Sequence, residues 1–228
     1  MLSRLLHKIL FLQSLIISIC AFSQAVTVHD FAGWEAVYLQ KKLTPNVELY
    51  LEHQLRLSQT MSAASRYIFR PAVFYFFSPD LFGALGYAWQ PTFGLFRNEN
   101  RIWQQITVKK KTEIFQWSNR LRFEQRFIGG TDAVSFRFRN QAKFLIPLTQ
   151  GDRPWAISIW DEVFFIPHQV TNGPPSGFDQ NRAFLGLHFK ATEETSLEFG
   201  YMNLYDPELV PGITLINHTS VLYAYINI

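Results

Sequence analysis

From residue 26 onward the chain alternates apolar and polar residues with a period of two, over stretches of about a dozen residues, which commits it to strands that are apolar on one side only. In residues 47–58 one face carries Val47, Leu49, Leu51, His53, Leu55 and Leu57, and the other carries Glu48, Tyr50, Glu52, Gln54, Arg56 and Ser58. Residues 115–127 repeat the pattern, with Phe115, Trp117, Leu121, Phe123 and Phe127 opposed to Gln116, Ser118, Arg120, Arg122, Glu124 and Arg126. Phe136, Phe138, Ala142, Phe144 and Ile146 oppose Ser135, Arg137, Arg139, Gln141 and Lys143, and Ala183, Leu185, Leu187 and Phe189 oppose Arg182, His188 and Lys190. Weaker alternation places further strands over 34–41, 66–77, 81–90, 101–109, 155–165, 196–205 and 217–228. No 3.6-residue hydrophobic period is sustained over a helix length, so the expected class is all-β.

The connections sort into two sets. Tight turns fall at 43–46, 78–80, 110–112 and 191–195, with a longer one at 147–154. The intervening connections, 59–65, 91–100, 128–132, 166–178 and 206–216, are longer. Tight turns on one rim and longer loops on the other suit an up-and-down antiparallel barrel of ten to twelve strands, and this asymmetry is typical of outer-membrane barrels. Strands of about 12 residues, tilted near 40°, rise roughly 30 Å, enough for a transmembrane barrel and more than most soluble strands need. A secreted soluble barrel or sandwich with a binding role is the competing architecture, because it too has one apolar face. Eleven segments are recognisable, whereas single-chain bacterial outer-membrane barrels have an even number. Either residues 26–31 add a short twelfth strand, or they thread the lumen, or one element has been split.

The first 25 residues read as a cleavable export signal: Arg4 and Lys8, an apolar stretch from 9 to 22, and Ser23-Gln24-Ala25 at the cleavage point. A single barrel domain, 26–228, follows. Cys20, the sole cysteine, lies in the signal, so the exported chain has no disulfide or cysteine metal site. The full chain carries 21 basic and 18 acidic side chains; losing Arg4 and Lys8 leaves 19 against 18, or +1, which gives nucleic-acid binding no electrostatic footprint. The longest apolar run after residue 25 is 72–77, far below the roughly 20 residues of a membrane-spanning helix.

With the apolar rows outside, the polar rows enclose a charged lumen: Glu52, Arg56, Arg66, Arg70, Arg101, Arg120, Arg122, Glu124, Arg126, Arg137, Arg139, Glu162 and Arg182. Arginine exceeds carboxylate, which suits a small anion held or passed inside; a purely structural Arg–Glu network is the alternative. Trp89, Phe127, Trp155, Phe165, Tyr201 and Tyr205, near strand ends, suit interfacial girdles. The expected surroundings are outer-membrane lipid, with a monomeric protein and no cofactor, metal or nucleic acid. His29 and His168 are expected in flexible ends or loops.

Several strings stand out once the strands are placed: Asn100-Arg101-Ile102-Trp103-Gln104-Gln105, Arg120-Leu121-Arg122-Phe123-Glu124-Gln125-Arg126-Phe127, and Arg137-Phe138-Arg139-Asn140-Gln141. Trp160-Asp161-Glu162-Val163-Phe164-Phe165, Phe178-Asp179-Gln180-Asn181-Arg182 and Gly200-Tyr201-Met202-Asn203 continue the series. The ensemble resembles a family of Gram-negative, bacteroidete-type outer-membrane barrel proteins of unknown function. That resemblance implies a barrel in the outer membrane and transfers no substrate or catalytic residue. Separately, His218-Thr219-Ser220 resembles the His-x-Ser string of outer-membrane lipid hydrolases. It implies an alternative in which His218 and Ser220 on a lipid-facing strand act with Asn203, or Asn217, as the orienting group.

Overall fold

The computed structural model describes residues 26–93, 97–149, 154–210 and 212–228; the expected signal at 1–25 lies outside the described residues. The described chain forms eleven strands: β1 (Val26–Thr44), β2 (Val47–Ser58), β3 (Ala63–Ser78), β4 (Leu81–Thr92), β5 (Arg97–Lys111), β6 (Gln116–Ile128), β7 (Ser135–Pro147), β8 (Trp155–Ile166), β9 (Gly177–Lys190), β10 (Thr195–Val210) and β11 (Ile213–Asn227). Each pairs with its sequence neighbours, and β1 pairs with β11, closing the barrel. Closure leaves no sheet edge, so every strand has a hydrogen-bonding partner on both sides.

Ten pairings are antiparallel, but β1 and β11 run parallel, in register from Val26 opposite Ile213 to Gln40 opposite Asn227. This settles the odd count. Residues 26–31 are neither a twelfth strand nor a lumen plug, and no segment was split: they continue β1, which runs 19 residues without a break. A chain that crosses an odd number of times must bring its first and last strands together pointing the same way. His29 accordingly sits within a strand rather than in a flexible end.

We call the rim where β1 meets β2, β3 meets β4, β5 meets β6, β7 meets β8 and β9 meets β10 the lower rim; Ile228 lies there, its N–H donating to the Gln40 carbonyl at 2.8 Å. Two of the connections expected to be long on the upper rim are largely strand. β4 and β5 extend into the 91–100 segment, and β10 and β11 consume most of 206–216, with a register shift between Asp206 and Val210. In the β2–β3 turn, Gln59, Thr60 and Met61 all have positive φ (53°, 57° and 60°). L-residues take that conformation at a cost; here the Asp30 carboxylate offsets it by accepting the N–H groups of Gln59 and Thr60, each at 3.0 Å.

Side-chain direction follows the alternation. Leu49, Val73, Leu85, Ile106, Leu121, Phe138, Ile159, Leu185 and Leu222 are exposed on the outer surface. Inside, the filling is of two kinds. Beneath β1 and β8–β11 lies an apolar cluster of Trp34, Ala36, Trp160, Phe184, Met202, Leu204, Val221 and Tyr223. Phe184 fits because Gly186 and Gly200 lie back to back across β9 and β10, where a methyl on Gly200 would lie 3.0 Å from the ring. A second, smaller apolar cluster of Ala72, Phe74, Ala88 and Trp103 lies beneath β3–β5, and much of the remaining filling is charged.

Candidate functional site

The inward rows of β2, β3 and β5–β10 carry charge because period two brings every second side chain to the lumen, where these groups find their partners in one another and in neighbouring polar and aromatic side chains. All thirteen charged residues expected inside face the lumen, eleven of them buried and Arg66 and Arg120 half-buried. They form two layers. In the upper layer Glu99 receives Arg126 Nε at 2.6 Å and Arg101 Nε at 2.5 Å. Glu124 receives Arg137 Nη2 at 2.6 Å and Arg139 Nη1 at 2.8 Å, and Arg137 also reaches Asp179 at 3.0 Å. In the lower layer Glu162 is shared by Arg120 (2.6 Å), Arg139 (2.8 Å) and Arg182 (3.6 Å). Arg70 pairs with Glu52 at 2.5 Å, and Lys143 with Glu198, which also accepts Trp160 Nε1 at 3.1 Å. Arg66 stands opposite Arg56 in the β2–β3 register.

Glu99, Asp179 and Glu198 are missing from the expected lumen charges, as is Lys143, although the alternation places it on the polar row of its strand. Glu99 precedes Arg101 by two residues and shares its face, so extending that strand by one step would have found it.

Three of the lumen arginines form no ion pair among the described residues: the half-buried Arg66, and the buried Arg56 and Arg122. Arg56 donates Nε and Nη2 to Gln54 Oε1 at 2.9 and 2.8 Å and lies over the Trp34 ring, 3.5 Å from its centroid. Arg122 repeats the arrangement with Gln105 Oε1 at 3.0 and 2.7 Å and the Trp103 ring at 4.1 Å. Arg122 Nη1 is buried with no hydrogen-bond partner among the described residues. Burying an unpaired charge costs several kcal/mol even after relaxation, and stacking on tryptophan returns about 2 kcal/mol. Both guanidiniums are therefore held in place by neutral groups with charge left over.

They border one chamber of about 270 Å³. Its wall holds seven cationic side chains, Arg56, Arg70, Arg120, Arg122, Arg139, Lys143 and Arg182, against three carboxylates, Glu52, Glu162 and Glu198, so the enclosed field is positive. Gln40, Phe82, Ser118 and Tyr225, each within a few residues of the lower turns, belong to its lining, whereas Glu99, Arg101, Arg126, Arg137 and Asp179 do not. The upper ionic layer thus lies beyond its inner end.

Comparison with known proteins bears on the same strands. The family described as "Protein of unknown function (DUF2490)" matches residues 31–209. The chain belongs to this family. An uncharacterized protein of Methylorubrum extorquens is 31% identical to it over 214 residues, covering 92% of this chain and 93% of that protein. The match runs across the strands of both ionic layers, as the resemblance in the Arg/Glu/aromatic strings implied, and it brings no reaction or ligand with it.

The His218–Ser220–Asn203 group is not assembled as a triad. His218 Nε2 lies 3.0 Å from His29 Nδ1 and His218 Nδ1 2.7 Å from the Tyr201 hydroxyl, so both ring nitrogens have partners other than Ser220 and Asn203. Asn203 bonds instead to Tyr201 at 3.4 Å. Elsewhere on the outer surface, polar side chains that the alternation passes over pair across adjacent strands: Asn119 with Asn140 (3.2 Å), Asn181 with Asp161 (2.8 Å) and Gln125 with Gln104 (3.0 Å). The described residues contain no group of three or more His, Cys, Asp or Glu able to hold a metal.

Proposed function

We propose that this protein is an outer-membrane β-barrel that binds a small anion in a cationic chamber opening toward the lower, periplasmic rim. The observation that carries the reading is the pair Arg56 and Arg122: buried, stacked on Trp34 and Trp103, held by Gln54 and Gln105, and free of carboxylates. An anion bridging to these groups would supply the missing charge without displacing an existing ion pair. The membrane location is supported by the signal-like sequence pattern of residues 1–25, the strand lengths and the exposed leucine and phenylalanine rows. The upper ionic layer favours holding an anion over passing it.

Refolded in detergent, the protein should show a heat-modifiable band and float with outer-membrane vesicles. Phosphate should alter its tryptophan fluorescence, because Trp34 and Trp103 touch the two arginines, and Arg56→Gln with Arg122→Gln should abolish the response. A mature chain that stays soluble and monomeric without detergent would overturn the location. Phosphate, acetate and larger anions all failing to bind by calorimetry would overturn the site.

A further inference from the structure

The chamber has two unlike walls. On one side Tyr225, Tyr38, Tyr50, Phe74 and Phe82, from β11, β1, β2, β3 and β4, form an unbroken arc of rings with successive centroids 4.7, 6.1, 4.9 and 5.8 Å apart. The first three contacts are near-parallel, at 13°, 29° and 17°. Across the lumen, β6 and β7 present Arg120, Arg122 and Lys143. At one edge the walls approach, Lys143 Nζ standing 5.6 Å from the centre of the Tyr225 ring, which keeps the slot narrow.

Aromatic faces are electronegative and do not welcome a bare anion; they prefer another flat ring, offset-stacked at 4.5–7 Å. An inorganic anion would use the arginine wall and leave the arc unoccupied. A ligand that satisfies both walls carries its charge on one edge and a flat, weakly polar face beside it. Resting on the anion-binding reading above, we infer that the chamber takes a carboxylate borne on a single six-membered ring, its ring against Tyr38 and Tyr50 and its carboxylate toward Arg122. Arenes and sugar acids share that chemistry.

Calorimetry on the full barrel refolded in detergent, with benzoate, glucuronate, acetate and phosphate, tests the inference. At least one ring acid should bind tenfold or more tightly than acetate. Tyr38→Leu, which keeps apolar volume but removes the ring, should shrink that advantage to within about threefold and leave acetate binding unchanged. Benzoate the tighter of the two assigns an arene, and glucuronate the tighter a sugar acid; either supports a ring-borne carboxylate. Acetate or phosphate binding as tightly as both ring acids in the unaltered protein overturns this inference and leaves the anion site standing. No binding by any of the four overturns both.

Discussion

Gly86 and Trp103 face each other on one rung of the β4–β5 ladder, and the indole lies flat over the space that a side chain at Gly86 would need. A methyl there would overlap the ring and come within 2.8 Å of the Ala72 Cβ. Trp103 is fully buried and carries Arg122 on its face, so a glycine on β4 sets the position of a cation on β6.

Gly86→Ala is therefore expected to destabilise the barrel by about 1–3 kcal/mol, the usual cost of overpacking, and to weaken anion binding by displacing Arg122. Denaturant titration followed by loss of the fast-migrating gel band measures the first effect and calorimetry the second. Unchanged values in both would show that the ring has room to move.

The parallel seam makes a covalent prediction. Val37 and Ala224 stand in register on the outer surface of β1 and β11. Adjacent strands lie about 4.8 Å apart, within the reach of a disulfide. Val37→Cys with Ala224→Cys should crosslink on oxidation and shift on a non-reducing gel, whereas Val37→Cys with Ser220→Cys, four residues out of register, should not. Equal crosslinking in both pairs would contradict the seam.

Glu162 binds three arginines at once, so removing its charge leaves Arg120, Arg139 and Arg182 without their shared partner. Glu162→Gln should cost about 3–5 kcal/mol in unfolding experiments. By contrast Glu193, 75% exposed in its pair with Lys190, lies where such pairs contribute at most about 1 kcal/mol, and Glu193→Gln should be close to neutral.

On the outer surface, Asp161 and Asn181 satisfy each other at 2.8 Å. Asp161→Leu alone should cost about 1–3 kcal/mol by leaving the Asn181 amide only its long bond to the Glu162 carbonyl at 3.4 Å, while Asp161→Leu with Asn181→Leu should return the loss, since replacing both partners by apolar groups is close to neutral. Stability in lipid vesicles separates this from a double variant that is worse than either single one.

Where one face of a strand is apolar and the other charged, the sequence locates the strand closely: alternation over 47–58 is β2, Val47–Ser58, and that over 115–127 is β6, Gln116–Ile128. Alternation weakens where a strand also turns an apolar row inward. That is the case for β1, β8, β10 and β11, whose Trp34, Trp160, Met202 and Val221 meet in the internal cluster. Weak alternation there records two apolar faces rather than an uncertain strand. The thirteen charged lumen positions follow from parity alone, but which arginines lack a carboxylate does not, because it depends on cross-lumen distances. The parallel seam is likewise invisible locally, since it joins residues about 190 apart, as the contact of His29 with His218 illustrates.

Eleven crossings have a directional consequence. Val26 emerges at the mouth opposite to Ile228, so the two ends of the barrel domain are held apart by the full height of the wall. In the membrane setting proposed above, tags attached before one and after the other would report from opposite sides of the bilayer, so a single labelling experiment reads the parity of the strand count.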